Sequence, residues 1–194
     1  MLKKKAFGTR RVNKDRKGTK VKTIIDCCID FLMQQSPKMT IQKRLRGYMN
    51  ILFVCTGNTC RSAMAAAIMD KLAQKRRLDI RIESAGIFAS SGESASKNAI
   101  EALKKYDIDL SYHRSKPVTD DLIKQCDLIL TMTTSHKQVL EPVAGDKTFT
   151  LSEYVGAAGD ISDPYGGNLE IYEKTAGELY ELLNTLADKL SEEK

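Results

Sequence analysis

From residue 49 onward, short apolar runs alternate with segments that have helical spacing. The runs "NILFVC", "DIRIESAG", "DLILTM" and "KTFTL" have the length and composition of β-strands. The helices predicted between and after them cover residues 61–77, 93–106, 119–126, 135–143 and 169–190. We expect Thr119 to cap the third helix and Pro142 to break the fourth.

This order of elements predicts the fold class. Strands that alternate with helices are typical of a parallel sheet with helices on both faces. We therefore expect an α/β protein with three α/β/α layers and a central, mainly parallel four-stranded sheet. The loop after the first strand should lie beyond the carboxyl ends of the strands, where ligands bind in such sheets.

Charge divides the chain near residue 48. Residues 1–48 hold 14 Lys and Arg against 3 Asp and Glu, whereas the remainder holds 17 against 22. The isoelectric point near 9.0 therefore reflects the first segment, and we expect no nucleic-acid binding by the rest. We interpret residues 1–48 as a basic extension, largely disordered or a short helix (residues 23–35) plus a linker, and residues 49–194 as the folded domain. No apolar run reaches the ~18 residues that suggest a membrane span.

The stretch "CTGNTCRS" joins the first strand to the first helix. Backbone amides of residues 56–60 can form a nest for an oxyanion, and the following helix adds its positive end. We expect Gly57 to permit the tight turn and Asn58 to hydrogen-bond the loop to itself. The nucleotide-type phosphate loop, G-x-x-x-x-G-K-[ST], is absent.

Three side chains of this loop suggest chemistry on a bound phosphoryl group. Cys55 ends the strand at the rim of the nest, where thiols ionise readily and become nucleophiles. Arg61 offers a planar fork of donors that matches two phosphate oxygens. Ser62 can donate a hydrogen bond to the thiolate when it departs.

The pattern Cys-x5-Arg-Ser resembles the low-molecular-weight protein phosphatase family. "SAG" at residues 84–86 and "DPYGG" at residues 163–167 stand where that family has similar segments, and the resemblance covers about residues 50–190. The family usually has proline after the serine, where this chain has Ala63. Proline suits a first helical turn but is not required there, so we expect retained activity.

The resemblance implies a cysteine-dependent protein phosphatase that works through a phosphocysteine intermediate, without a cofactor or metal. It implies that Asp163 is the general acid that protonates the leaving group and then the base that activates water. A turn aspartate before proline is the ordinary structural alternative. With Cys55 and Arg61 as the other catalytic residues, the expected substrate-binding residues are Thr56, Gly57, Asn58, Thr59, Cys60, Ser62 and Tyr165.

The sequence is compatible with more than one substrate. Threonine at position 59 and the segments "SAGIFAS", "HKQVL" and "FTLSEYV" resemble bacterial protein-arginine phosphatases, whereas tyrosine-directed members commonly have an aliphatic residue there. We favour phosphoarginine, with phosphotyrosine as the alternative. Arsenate reductases of similar fold need further cysteines after the second strand, and residues 84–120 contain none. An inactive phosphate-binding module is disfavoured because all three catalytic residues are present.

The remaining cysteines and histidines give weaker indications. An odd number of cysteines, with Cys27 and Cys28 adjacent, favours a reducing, cytoplasmic location. Cys60 is either a small buried loop residue or a redox partner of Cys55. Cys27, Cys28 and Cys126 are expected to be apolar fillers. The two histidines, 113 and 136, are too isolated for a metal site, and we expect surface or capping roles. We expect a monomer whose partners are phosphorylated protein substrates.

Overall fold

A computed structural model of the chain describes residues 47–192. Its centre is a four-stranded sheet in which every neighbouring pair of strands is parallel, in the order β2-β1-β3-β4. The strands are β1 (Met49–Cys55), β2 (Ile80–Gly86), β3 (Leu128–Thr131) and β4 (Thr148–Thr150). The predicted fold class is confirmed. The helix expected at residues 23–35 lies outside the described residues, and the division at residue 48 stays a prediction.

Six α-helices surround the sheet in the part of the chain that the structure describes. They are α1 (Arg61–Arg76), α2 (Lys97–Lys104), α3 (Asp120–Gln125), α4 (Thr134–Ala144), α5 (Leu151–Val155) and α6 (Leu169–Glu192), with a 3-10 turn at Gly145–Lys147. Thr119 caps α3 as expected, because its side chain accepts a hydrogen bond from the Leu122 amide at 3.3 Å. None of these helices is both long and apolar enough to cross a membrane.

Three local predictions differ from the structure. Helix α2 begins after Ser96, whose Oγ accepts from the Ala99 amide at 3.2 Å, rather than at residue 93. Helix α4 continues through Pro142 and ends two residues later at Ala144; the proline has no N–H and removes one helical hydrogen bond near the end, but it does not break the helix. Helix α5 was not predicted, although Thr150 and Glu153 form a capping box at its start.

The core lies in two layers, one on each face of the sheet. Ile51 and Phe53 of β1 pack with α1 and α6 on one face, whereas Leu52 and Val54 pack with residues of α3 and α4 on the other. All four side chains are fully buried. Because successive residues of a strand point to opposite faces, a continuous apolar run is what a strand covered on both sides requires.

The carboxyl edge of the sheet brings two chain segments into close contact. Gly86 ends β2 beside Cys55, and a Cβ atom at residue 86 would lie 2.5 Å from the carbonyl oxygen of Thr56 and 2.9 Å from the amide nitrogen of Asn58. Both atoms are backbone and cannot easily move aside. The glycine therefore permits the loop after β1 to lie directly against the end of β2.

Candidate active site

Cys55 lies at the carboxyl end of the central strand and is only 3% exposed. Its Sγ atom accepts a hydrogen bond from the Asn58 amide at 3.3 Å and lies 2.9 Å from Ser62 Oγ. The sulfur predicted from the sequence is therefore held in place by a backbone amide and a serine side chain of its own loop.

The loop between β1 and α1 directs its carbonyl oxygens outward. The carbonyls of Cys55, Thr56, Asn58 and Thr59 accept hydrogen bonds from Ile87 N, Phe88 N, His113 Nε2 and Ser96 N, at 2.6–2.9 Å. In a planar trans peptide the N–H points opposite to the carbonyl, so the amides that follow these carbonyls turn toward the inside of the loop. Helix α1 begins at Arg61 without a side-chain cap. The loop and the helix start thus form a nest suited to an oxyanion.

Asn58 is the structural centre of this loop. It has a φ of 55°, and its side-chain amide donates to Ser62 Oγ and Ser84 Oγ, both at 2.9 Å. Its Oδ1 atom accepts from the Lys116 amide at 3.0 Å. The sequence prediction that Asn58 bonds the loop to itself is thus confirmed, but the left-handed residue is Asn58 rather than Gly57. A Cβ at Gly57 would meet only Thr59 Oγ1, at an ordinary 3.7 Å.

His113 anchors the same asparagine. Its Nε2 atom donates to the Asn58 carbonyl oxygen at 2.6 Å, and since a carbonyl only accepts, the proton is on Nε2. Burial lowers the pKa of His113, which favours the neutral ring. The expectation of a simple surface or capping residue missed this contact. The partner lies 55 positions away in the chain, and nothing in the local sequence indicates it.

Arg61 and Asp163 form an ion pair over the nest. Arg61 Nη2 lies 2.5 Å from Asp163 Oδ2, and Arg61 Nη1 donates to the Ile161 carbonyl at 3.3 Å. The arginine side chain is 5% exposed and the aspartate 49%, so the guanidinium is held within the protein while the carboxylate faces solvent. The two residues are 102 positions apart, and the structure brings them together as the sequence interpretation expected.

The loop that carries Asp163 is fixed at both ends. Asp163 Oδ1 accepts from the Tyr165 amide at 3.2 Å, an Asx turn. Before it, the Ile161 amide donates to the Met132 carbonyl at 2.9 Å, and after it, Asn98 donates to the Gly167 carbonyl at 3.1 Å. The carboxylate therefore sits at the tip of a short exposed loop whose stem is tied to the core.

These residues line one cavity of about 350 Å³. Its walls include Cys55, Thr56, Gly57, Thr59, Cys60, Arg61, Phe88, Ser90, Glu93, Asp163 and Tyr165. Tyr165 and Thr59 both line the cavity, as the sequence interpretation expected. Phe88, Ser90 and Glu93 were missed, although they follow β2 at the edge where β1 also ends. Phe88 and Tyr165 are 79% and 80% exposed, which makes an aromatic rim.

The two other described cysteines differ in their surroundings. Cys60 is buried in the loop with a free thiol, and its Sγ lies 3.3 Å from the hydroxyl of Tyr172. Burial, together with the bond to Cys60, raises the pKa of Tyr172 to about 12, so the phenol stays protonated and can donate to the sulfur. Burial raises the pKa of the Cys126 thiol to about 11, which fits an apolar filler. Cys27 and Cys28 lie outside the described residues, and residues 47–192 contain no His, Cys, Asp and Glu cluster suited to a metal ion.

Comparison with known proteins agrees with this geometry. The family model described as low molecular weight phosphotyrosine protein phosphatase matches residues 50–194. A protein-arginine-phosphatase of Bacillus subtilis (strain 168) is 47% identical over 150 residues, which cover 75% of this chain and 99% of that protein. A low molecular weight protein-tyrosine-phosphatase, PtpB, of Staphylococcus epidermidis is 39% identical over 143 residues, which cover 73% and 99%.

One solved structure has a similar fold. It is a cysteine-to-serine mutant of the arginine phosphatase YwlE with a phosphorylated active-site serine. It superposes with a TM-score of 0.71 at 47% identity and covers 73% of this chain and 95% of its own.

Proposed function

Because the chain belongs to the low-molecular-weight phosphotyrosine protein phosphatase family, we propose that it hydrolyses phosphoarginine in proteins through a phosphocysteine at Cys55. The observation that carries this proposal is the convergence of a buried, hydrogen-bonded thiol, a buried guanidinium and a half-exposed carboxylate on one cavity. Release of inorganic phosphate from a phosphoarginine-containing protein tests it. The matched substrate is the same protein carrying phosphotyrosine.

The first chemical step transfers the phosphoryl group to the enzyme. Cys55 Sγ attacks phosphorus, the P–N bond to the arginine breaks, and Asp163 gives its proton to the departing nitrogen. Arg61 binds two of the non-bridging oxygens, and the loop amides bind the developing charge. The products of this step are an unmodified arginine side chain and phosphocysteine. The relative with a phosphorylated active-site serine supports such a covalent intermediate.

The second step releases phosphate. Asp163, now ionised, takes a proton from water, whose oxygen attacks phosphorus while the S–P bond breaks. The electron pair of that bond returns to sulfur. Ser62 Oγ, 2.9 Å from Sγ, supports the departing thiolate by donating a hydrogen bond to it.

Thr59 supports phosphoarginine over phosphotyrosine. A phosphorylated guanidinium brings N–H donors into the cavity, and the Thr59 hydroxyl is an acceptor on its wall. Glu93 adds a carboxylate to the same wall, which suits N–H donors better than an aromatic ring. Phosphotyrosine stays the second candidate, because the PtpB relative is named a tyrosine phosphatase and the aromatic rim also fits a ring.

We expect Thr59→Ile to lower kcat/KM for phosphoarginine relative to phosphotyrosine by about ten- to a hundredfold. The physical reason is that an N–H group left unpaired in a closed pocket costs about 1–3 kcal/mol. Both substrates are assayed side by side on wild type and variant. Thr59→Val, which removes the hydroxyl at nearly constant volume, separates the lost acceptor from added bulk. A wild type that prefers phosphotyrosine, with a ratio unchanged by the substitution, would replace the arginine assignment with the tyrosine one.

We expect residues 1–48 to be dispensable for catalysis. A chain that begins at Met49 keeps all of β1, whose first amide donates to the Asp79 carbonyl at 3.0 Å. It loses the contact of the Tyr48 ring with the Arg81 guanidinium, 4.2 Å from the ring centre. Such a contact contributes about 0.5–1 kcal/mol when exposed, so Tm should fall by only a few degrees. Full-length and shortened chains are compared by thermal unfolding and by kcat/KM. A loss of about 10 °C or more would show that the extension packs on the domain.

We further propose that the enzyme acts as a monomer in the reducing cytoplasm. The catalytic side chains all come from one chain, so a second copy is not needed to complete the cavity. A thiol nucleophile with Cys60 beside it in the loop is kept active by a reducing environment.

A further inference from the structure

His136 of α4 lies beside the active-site loop and has no role in the two chemical steps. Its ring is buried, with Nε2 2.9 Å from Thr56 Oγ1 and Nδ1 2.8 Å from Thr133 Oγ1. Thr133 caps α4, and its Oγ1 also accepts from the His136 amide at 3.3 Å. Both ring nitrogens are therefore held by hydroxyl groups, and the plane of the ring is fixed.

The contact with Thr56 leads directly to the ion pair over the nest. Arg61 Nη2 donates to Thr56 Oγ1 at 3.4 Å, and the same nitrogen contacts Asp163. His136 is thus connected to Asp163 by a chain of three contacts, which runs from His136 to Thr56, from Thr56 to Arg61 and from Arg61 to Asp163. Thr56 itself lines the cavity, so its hydroxyl lies between the histidine and the space in which the phosphoryl group would bind.

We propose that neutral His136 is a positioning residue that holds Thr56 as an acceptor for Arg61 and thereby fixes the guanidinium over the nest. The inference rests on the proposed phosphatase function. An arginine only donates, so the Thr56 oxygen accepts from it and the Thr56 proton is directed to His136 Nε2. The ring proton is then on Nδ1, where it is donated to Thr133 Oγ1. Both ring nitrogens and the Thr56 hydroxyl have a partner in this arrangement.

Protonation of His136 reverses the direction of its hydrogen bond with Thr56. The groups that face the ring are Arg61, Asp163 and Asp160; burial first and Arg61 second lower the pKa of His136, while the two carboxylates raise it. The net pKa lies below the ordinary value for histidine, so the neutral, positioning form already prevails at the pH at which an ordinary histidine would be half protonated. As pH falls through the lowered pKa, Nε2–H becomes a donor, Thr56 must turn its proton away, and a second cation lies near Arg61. Activity should then fall on the acid side.

A double-mutant cycle tests the link through Thr56. We expect His136→Gln and Thr56→Val each to lower kcat/KM for a generic aryl phosphate by about tenfold, mainly in kcat, with the double variant no more than about twofold worse than the less active single variant. The acid limb of the wild-type pH profile should lose one ionisation in His136→Gln, because glutamine does not titrate. Glutamine keeps an amide that can reach Thr56, so His136→Ala should be the more severe change. Lys137→Gln, on the same helix, is the control for a general effect on α4.

The same variants are titrated with inorganic phosphate, which reports the position of Arg61 without turnover. Independent, multiplicative effects in the cycle, or an acid limb unchanged in His136→Gln, would overturn the inference. A wild type that binds phosphate but hydrolyses no phosphorylated substrate would instead overturn the proposed function. In that case, the same double-mutant cycle is measured as phosphate affinity. Multiplicative effects of the two substitutions on that affinity would overturn the positioning role, and coupled effects would support it.

Discussion

We expect Cys55→Ser to abolish turnover while inorganic phosphate still binds. The loss should reach at least about four orders of magnitude in kcat, because the nucleophile and no other group is removed. A serine hydroxyl is far harder to ionise than a thiol, so the contacts of this position with the Asn58 amide and Ser62 Oγ do not make serine an effective nucleophile. The outward-facing loop carbonyls and Arg61 are unaffected, so the nest for the anion is kept. Release of inorganic phosphate over time measures turnover, and calorimetry measures phosphate affinity.

Cys60→Ser is the matched control for this experiment. Cys60 lies in the same loop and is also buried, but its sulfur contacts Tyr172. We expect this variant to keep most of its activity under reducing conditions. Near-normal kcat in Cys55→Ser together with a severe loss in Cys60→Ser would show that the nucleophile has been assigned to the wrong cysteine.

We expect Asp163→Asn to slow hydrolysis by about 10²–10⁴-fold for substrates whose leaving group needs a proton. The carboxylate is the half-exposed group at the cavity, held 2.5 Å from Arg61 on a loop tip, so it is placed to reach a departing atom. Asparagine has nearly the same shape but cannot give or take the proton. The defect should shrink for aryl phosphates whose phenols are acidic enough to leave as anions. A series of aryl phosphates of graded leaving-group acidity measures this dependence.

Two results would argue against an acid at this position. An equal loss across good and poor leaving groups would point to a structural role, in which the ion pair with Arg61 orients the guanidinium. A comparable loss in Asp146→Asn, an exposed carboxylate on the 3-10 turn, would show a general effect of charge. Unfolding curves of both variants exclude a loss of folded protein.

The fold could be predicted from the sequence because its central strands are buried on both faces. Residues Ile51 to Val54 form an unbroken apolar run, and such a run between helical segments is typical of a central strand in a parallel sheet. The order of the strands could not be predicted, since β1 pairs with both β2 and β3 through contacts between distant segments. Helix α5 was missed because its five residues are too few to show a period, although its capping box was readable.

Some residues of the candidate site could likewise be predicted from the sequence, and others could not. Cys55 and Arg61 follow from one local motif, and Asp163 follows from a second motif that accompanies the first in the family. The two histidines could not be assigned, because each contacts a loop residue at least 55 positions away. Isolation in the sequence argued against metal binding and suggested surface roles, whereas folding brings both rings against the loop. A side chain whose partner is chosen by tertiary packing leaves no periodic signal.

The burial of the Cys55 sulfur beneath an aromatic rim has a consequence for the length of the side chains that the enzyme can accept. Cys55 lines the cavity and is almost fully buried, whereas Phe88 and Tyr165 line the same cavity and are largely exposed. A phosphoserine carries its phosphorus close to the polypeptide backbone, so we expect the exposed aromatic rim to hinder its approach to the buried sulfur. Arginine and tyrosine carry their phosphorus well beyond the backbone, so we expect them to reach Cys55 while the polypeptide stays outside the rim. The cavity is thus expected to select phosphorylated residues by the length of their side chains, in addition to the chemical nature of the phosphorylated group.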